Sequence, residues 1–546
     1  MTVVNLNRKE LEKAIGKIDK EVEEKIAGFG ATVEESNEKE ISIEVYPNRP
    51  DLLSLQGVAR ALGTYLNGAK TKEYKINKPE KNYKVIIEKS VKKVRPYTVC
   101  AIVKNLKFND EKIKEIIDIQ EKLHITIGRK RKKLAIGIYP LEKIKLPITF
   151  SAKKPEDIKF IPLEAEREMN GKQILRSHPA GREYADLLKD EEVFPIFSDA
   201  SGKILSMPPI INSHETGKII MNTKDIFIEC SGFNLPYLKK TLNILVCALA
   251  DMGGEIYYME IDDSENKTPF LSPNLDNEKM QFKIEDINRT LGLNLNEEEI
   301  IKCLAKMGIG YSKGEAIIPA YRTDILHWVD LAEEVGIAYG YENFKPEIPK
   351  ISTIAEEDKK SIVKRKIEEI LSGLNFLEAS SYHLTTKESV KNVYFDFKDF
   401  IEVEESKTEY SVLRPDLFTN LMKILSENTD SSYPHRIFEI GKVFGKDKES
   451  ETGIIEKERL GIAIADENTN FTEIKQVLDY LFKMINKTYE IKDYESSALI
   501  SGRTGSIFVD GKEVGVLGEV HPRVLKNLKI RMPVSILEIN LGFLSN

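Results

Sequence analysis

Two groups of side chains in this chain have the types and spacing for chemistry. The first is acidic: Asp324, Asp330, Glu333 and Glu334 fall within one short stretch. Carboxylates three and four residues apart on a helix repel by a few tenths of a kcal/mol unless positive charge faces them. A hard cation such as Mg²⁺, which takes oxygen ligands and keeps waters beside one or two carboxylates, would answer. So would a salt bridge to a neighbouring Arg or Lys, and a solvated acidic face needs no partner. The second group is mixed. Ser206 and Asn212 lie in Leu205-Ser-Met-Pro-Pro-Ile-Ile-Asn-Ser-His-Glu-Thr-Gly, and Glu229 and Ser231 in Phe227-Ile-Glu-Cys-Ser-Gly. These four can line one polar pocket, joined by Glu121 and Arg131 from a preceding helix and loop; residues of these types are also ordinary in loops and caps. Gly128-Arg-Lys-Arg-Lys-Lys is the densest basic run, either a solvated face or a source of phosphate contacts.

The elements that must hold these groups follow from periodicity. Ala316-Ile-Ile-Pro reads as a strand closing into a turn, and Val329, Ala332, Val335 and Ala338 then recur at helical spacing up to a stop at Gly340. Thr323 or Asp324 is the expected N-cap, since a short side-chain oxygen accepts from the free N–H groups of a first turn. Asp330, Glu333 and Glu334 then fall on the side away from the apolar positions, with Asp324 at the entrance.

Around the polar group, strands are expected at residues 85–87, 97–103, 134–138 and 226–229, and helices at 110–123 and 235–252. This is an α+β pattern without the alternation of a doubly wound sheet. Four regions emerge. Residues 1–80 form a small α+β module with a strand at Ile41-Ser-Ile-Glu-Val-Tyr, a turn at Pro47-Asn-Arg-Pro-Asp and a helix over 52–65. Residues 84–265 carry the polar group. Residues 270–345 carry the acidic stretch, after a helix stopped at Gly292 and another capped by Asn296. Residues 355–546 open with a long helix over 358–374 and contain a hairpin turning at Asp510-Gly511. Polar or proline-stiffened linkers are expected at 75–83, 262–269 and 345–351.

At 546 residues several cores are required. No apolar run reaches the roughly 18 residues of a membrane span, and the first residues lack an apolar signal core, so a cytoplasmic protein is expected. Four scattered cysteines suggest neither a zinc site nor a disulfide framework. A net charge of −7 argues against non-specific coating of nucleic acid.

Tyr321-Arg-Thr-Asp-Ile, Asp330-Leu-Ala-Glu-Glu and Ala338-Tyr-Gly-Tyr together resemble the signature of phenylalanine–tRNA ligase β subunits of archaeal/eukaryotic type. Val45-Tyr-Pro-Asn-Arg-Pro-Asp-Leu-Leu-Ser resembles their amino-terminal module. Val412-Leu-Arg-Pro-Asp-Leu, Arg436-Ile-Phe-Glu-Ile-Gly and Gly518-Glu-Val-His-Pro resemble their synthetase-like domain. The resemblance runs through the chain in family order. It implies a multidomain α+β fold: an editing domain at 84–265, a small winged-helix-like domain at 270–345, and a class II synthetase-like antiparallel sheet domain at 355–546. It implies Mg²⁺, without a catalytic role, at Asp324, Asp330, Glu333 and Glu334, near an α-subunit contact. It also implies an editing pocket for mischarged Tyr-tRNA(Phe) built from Glu121, Arg131, Ser206, Asn212, Glu229 and Ser231. Ser231 stands where the family usually has Thr, which keeps the hydroxyl and loses a methyl that narrows the pocket. The implied assembly is two α and two β chains, with tRNA(Phe) as partner and with ATP and phenylalanine bound by the α subunit.

Editing answers a physical need, because an apolar pocket rejects an added hydroxyl only about 10²-fold. No Ser-His-Asp arrangement suggests a side-chain nucleophile; polar groups can instead orient a water and polarise an ester carbonyl. The last region lacks the marks of synthesis. Arg436 and Glu439 are three apart where active class II enzymes space the first pair two apart, and Ser535-Ile-Leu-Glu-Ile-Asn-Leu-Gly-Phe-Leu carries no phosphate-binding Arg. A catalytically silent domain is expected. Two other readings are a non-enzymatic nucleic-acid-binding scaffold, disfavoured by the acidic total, and a stand-alone aminoacyl-tRNA deacylase, disfavoured by the large silent domain.

Overall fold

A computed structural model of the chain describes residues 2–263, 269–349, 353–395, 397–404 and 406–544. Two compact units divide at Glu347/Ile348.

The first unit begins with a three-stranded antiparallel sheet, Thr2–Asn7, Glu40–Val45 and Thr32–Ser36 in spatial order, covered by the helices Arg8–Ile15, Lys20–Gly28 and Leu55–Asn67. Ile41, Ile43 and Val45 alternate inward, as the sequence pattern requires. Next come two stacked sheets. A five-stranded sheet runs Ile76–Asn77, Glu255–Tyr257, Tyr97–Lys104, Ile226–Gly232, Leu134–Pro140. A seven-stranded sheet runs Ile211–Asn212, Ile204–Met207, Phe194–Ser198, Ile148–Lys153, Lys84–Ile87, Met259–Asp263, Phe270–Ser272. One face of the five-stranded sheet buries Val99, Ala101, Ile136, Ile138 and Ile228 under the helices Asp110–Ile125 and Leu235–Asp251. The other face packs Cys100, Ile102, Tyr139 and Phe227 onto Val85, Ile148, Phe150 and Leu205 of the second sheet. Residues fully buried on both faces give the near-continuous apolar runs that the sequence shows.

Two expected linkers enter these sheets: Ile76–Asn77 pairs with Glu255–Tyr257, and Phe270–Ser272 with Met259–Asp263. Parts of the expected linkers at 262–269 and 345–351 lie outside the described residues. The unit closes with the small antiparallel sheet Glu278–Gln281, Glu315–Ile318, Gly310–Ser312 and the helices Ile284–Leu291, Glu297–Lys306 and Trp328–Tyr339.

The second unit is a seven-stranded, largely antiparallel sheet, ordered Leu377–Glu378, His435–Lys446, Ile454–Ala465, Val534–Asn540, Lys512–Val520, Leu499–Val509, Glu490–Asp493. The helices Lys359–Gly373 and Phe471–Met484 cover one face and Phe418–Glu427 the other. Its hairpin turns at Asp510 and Gly511, with φ of 49° and 75°. Positive φ at both central residues is what a two-residue turn matched to strand twist requires.

Candidate functional site

The strand Leu134–Pro140 is the edge of the five-stranded sheet, and a cavity of about 580 Å³ runs along it. The helix Asp110–Ile125 forms one side through Ile113, Ile116 and Ile117, and the short strands around Ser206 and Asn212 form the other. The edge strand's outward backbone groups are partly occupied: Ile136 N–H donates to His124 Nε2 at 2.8 Å, and Gln120 Nε2 donates to Ile136 O at 2.9 Å. Alternation along the ladder puts the next outward N–H and C=O at Ile138, which also lines the cavity.

Five of the six residues expected in a pocket line this cavity: Glu121, Arg131, Ser206, Asn212 and Glu229. Arg131 reaches it from a turn in which Arg129, Lys130 and Arg131 all have positive φ. Its Nη2 donates to Glu121 Oε1 at 2.8 Å, its Nη1 to the carbonyls of Ile210 at 3.0 Å and Pro209 at 3.3 Å, and the guanidinium lies over the Tyr184 ring. His124 accepts at Nε2, so Nδ1 carries the proton and donates to Glu121 Oε1 at 3.2 Å. Burial lowers the His124 pKa and keeps it neutral. Glu121, although half-buried, is held below its usual range by His124 and Arg131.

At the inner end, Ser206 and Asn212 face each other across their strand pair. Glu229 lies opposite Gly137 on the edge strand. The carboxyl of Glu229 is 2 % exposed, and burial pushes it up to about 8 against the pull of the Arg95 guanidinium. It is therefore neutral at pH 7. Its Oε2 is buried without a hydrogen-bond partner. Ser231 does not line the cavity. It is fully buried, and Arg95 claims it, Nε donating to Ser231 Oγ at 3.1 Å and Nη2 to its carbonyl at 2.7 Å. The methyl that serine lacks there is not a wall of this cavity. Sequence reading passed over Tyr139, His124, Arg95 and Gly137. His124 follows Glu121 at helical spacing on one helix, a usable signal; Tyr139 and Gly137 read as plain strand residues.

The acidic cluster is organised by arginines. Arg322 is 2 % exposed and clasps Asp324 with Nε at 2.9 Å and Nη2 at 2.7 Å; Nη2 also meets Glu334 Oε1 at 2.9 Å. A second fork runs from Arg49 to Asp51, at 2.9 and 2.8 Å. So Asp324 does not cap the helix. The cap is His327, three residues beyond Asp324, and Asp330 Oδ2 accepts the N–H groups of Leu326 and His327 at 2.7 Å each. Ala332, Val335 and Ala338 face inward and Glu333 outward as expected; two positions depart, with Val329 outward and Glu334 inward, where Arg322 draws its carboxylate into the core. Glu333 is exposed, and burial of its carboxyl together with Glu334, Asp330 and Asp324 raises its pKa.

The donor chemistry, oxygen throughout, suits magnesium for part of this set. Glu333 and the unpartnered Oε2 of Glu334 are uncommitted, whereas both oxygens of Asp324 are held by Arg322. Among the described residues no three His, Cys, Asp or Glu side chains converge as metal ligands do.

In the second unit, Glu439 is closed off by Arg414 (Nη1 to Oε1, 2.6 Å) and by the Ser381 hydroxyl (2.6 Å). Arg436 ion-pairs with Glu473.

Three family models match the chain: a B3/4 domain over residues 81–245, a tRNA synthetase B5 domain over 280–341, and a phenylalanyl-tRNA synthetase β-chain CLM domain over 345–541. A phenylalanine–tRNA ligase β subunit of Thermococcus sibiricus is 39% identical over 90% of this chain and 88% of its own length. Its counterpart in Archaeoglobus fulgidus is 36% identical over 99% and 98%. Among solved structures, an N-terminal fragment of the phenylalanyl-tRNA synthetase β subunit of Pyrococcus horikoshii superposes with a TM-score of 0.59 at 34% identity, covering 62% of this chain and 99% of the fragment.

Proposed function

Because the chain belongs to the family of phenylalanine–tRNA ligase β subunits, we propose that its edge-strand cavity hydrolyses Tyr-tRNA(Phe) made in error by the same ligase. The chain is one subunit of an aminoacylating ligase. In this reading synthesis belongs to an α partner that binds ATP and phenylalanine, in an assembly of two α and two β chains in the cytoplasm. What supports editing most is one observation: a cavity with isoleucine walls ends at a buried, neutral carboxyl with a free Oε2, beside Ser206 and Asn212. Apolar walls accept an aromatic ring, and the polar end satisfies a phenol that phenylalanine lacks. A site with unpaired buried polar groups favours the hydroxylated ring by the cost of leaving those groups empty.

The reaction needs no nucleophilic side chain. Water adds to the ester carbonyl carbon, the acyl C–O bond breaks, and the ribose oxygen takes a proton, giving tyrosine and uncharged tRNA. The outward N–H of Ile138 is a donor available to the carbonyl oxygen. His124 and Arg131 hold Glu121 at the cavity wall, where its free oxygen can accept a proton from the water. Arg414 and Ser381 occupy Glu439, in keeping with a second unit that does not activate amino acids.

The test is hydrolysis of Tyr-tRNA(Phe) against Phe-tRNA(Phe) by the reconstituted complex, with Asn212→Ala and Glu229→Ala alongside. Selective loss of Tyr-tRNA in wild type and its retention in the variants is expected; equal stability of both esters in wild type removes the editing reading.

Magnesium at the acidic cluster is the second part of the proposal. Glu333 and Glu334 would hold it with waters, and it would neutralise the acidic helix face near the α contact. Calorimetric titration with MgCl₂ should show binding heat that Glu333→Gln abolishes; equal heats in both place the ion elsewhere.

A further inference from the structure

We propose that Tyr139 is the positioning residue of this pocket: its phenol, seated in the space that Gly137 leaves open, ties Ser206, Asn212 and Glu229 together across two sheets. The inference rests on the editing reading for its catalytic consequence and on geometry for its substance. Tyr139 is fully buried and does not line the cavity, so it touches no ligand itself. Its Oη lies 2.7 Å from Ser206 Oγ, 3.3 Å from Glu229 Oε1 and 3.4 Å from Asn212 Oδ1. One hydroxyl thus reaches three side chains that the cavity wall needs, from the strand beside the edge of one sheet and the last two strands of the other.

A phenol has a single proton. Ser206 Oγ is its nearest acceptor while Glu229 is neutral; once the carboxyl ionises, Oη donates to Glu229 Oε1, the charge-assisted and stronger bond. The resulting link of Glu229, Tyr139 and Ser206 engages Oε1 and leaves Oε2 of Glu229 as the unpaired oxygen. The ring is held independently, stacked on Phe227 with centroids 5.8 Å apart, so the hydroxyl cannot swing away.

Gly137 is the counterpart of this arrangement. A Cβ there would stand 2.2 Å from Tyr139 Oη and 2.5 Å from Glu229 Oε1, well inside any real contact. Its φ is not in the left-handed region, so backbone freedom is not the reason for glycine. The reason is room for the phenol and the carboxyl.

The experiment compares Tyr139→Phe and Gly137→Ala with wild type in the reconstituted complex, following Tyr-tRNA(Phe) hydrolysis from pH 6 to 9.5. Tyr139→Phe keeps the ring and removes only the tie. Displacing the groups that receive the substrate phenol should lower kcat/KM for Tyr-tRNA(Phe) about a hundredfold and leave that for Phe-tRNA(Phe), which makes no such contact, within about twofold. The groups facing Glu229 are Arg95, Cys100, Tyr139, Cys230 and Ser231. Of these, the Tyr139 hydroxyl is one that holds the carboxyl down, so the alkaline inflection should move upward in the variant. A merely structural role would leave that inflection in place. Gly137→Ala should reproduce the loss in kcat/KM for Tyr-tRNA(Phe) with every pocket residue unaltered, while Phe-tRNA synthesis in both variants reports an intact complex. Unchanged hydrolysis and inflection in Tyr139→Phe overturn the proposal. If wild type clears neither ester, the editing reading falls, yet infrared titration of the Glu229 carboxyl still decides the role of Tyr139: an upward shift in Tyr139→Phe supports it, and no shift overturns it.

Discussion

Glu229 and Glu439 are both glutamates on interior strands of largely antiparallel sheets, 2 % and 3 % exposed. Glu439 receives a guanidinium, a hydroxyl and the Ser381 backbone N–H. Glu229 receives one long hydrogen bond from a phenol and the pull of the Ser231 hydroxyl, while its nearby arginine donates to Ser231 rather than to the carboxyl. A buried carboxylate saturated by an arginine and neighbouring donors is a fixed part of the scaffold, because its acceptor sites are filled. One left half-satisfied keeps an oxygen for something that arrives. The Arg322 network, with Asp324 and Glu334, belongs with the first kind apart from the open Oε2 of Glu334.

The largest effect should come from breaking the saturated pair. Arg414→Met strands Glu439 as an uncompensated buried charge, which costs about 3–5 kcal/mol. The urea midpoint of the second unit should drop accordingly, while Tyr-tRNA hydrolysis per folded complex stays. A loss below about 1 kcal/mol would mean that the two glutamates are not different in kind.

Glu229→Ala should do the opposite. Tyr-tRNA clearance should fall about a hundredfold, the usual scale for removing a positioned polar group in a water-poor site. Stability should change little, because a desolvated and poorly paired carboxyl leaves with the side chain. Parallel denaturation and hydrolysis measurements on the same preparation separate the two.

The fold was far more legible in the sequence than this contrast. Helix 110–123, strand 226–229 and the Asp510-Gly511 hairpin rest on local periodicity and turn chemistry, and they stand within a residue or two of where the pattern puts them, the strand running on to Gly232. The roles of individual polar residues depend on pairing across the chain. Tyr139 lies in Leu134-Ala-Ile-Gly-Ile-Tyr-Pro and reads as a core aromatic; only the register of Glu229 against Gly137 brings its hydroxyl to the carboxyl. Likewise Asp324 reads as a helix cap until Arg322, two residues earlier, is seen to hold both of its oxygens. A side chain offered both an amide and a buried guanidinium takes the charged partner, since charge-assisted bonds are roughly twice as strong.

A smaller effect lies in the pH dependence of stability. The Glu229 carboxyl titrates at about 8 in the fold and near 4.5 unfolded, so between those values the native state holds a proton that the unfolded chain has released. Stability must therefore fall as pH rises through that window, by about 1 kcal/mol per pH unit, and level off above it. Glu229→Gln removes the slope. Denaturation at pH 6 and pH 8 should show the variant gaining on wild type; parallel curves would mean that Glu229 is ionised in the fold and is not the half-satisfied acid described above.

The smallest effect tests the border of the pocket. Ser231 shares a strand face with Glu229, two residues on, and its hydroxyl pulls on that carboxyl, yet its Oγ and carbonyl both accept from Arg95 and it lies outside the cavity wall. Ser231→Thr adds a methyl on the Arg95 side, where fully packed surroundings make it cost about 1 kcal/mol, and it adds nothing to the cavity wall. The ratio of Tyr-tRNA to Phe-tRNA hydrolysis should therefore stay within about twofold of wild type, since discrimination changes only where a pocket contact changes. A tenfold change in that ratio would show that selectivity reaches past Glu229 along the strand. The boundary between saturated and open polar groups would then run beyond Ser231, and Arg95 would have to be counted among the residues that shape the pocket.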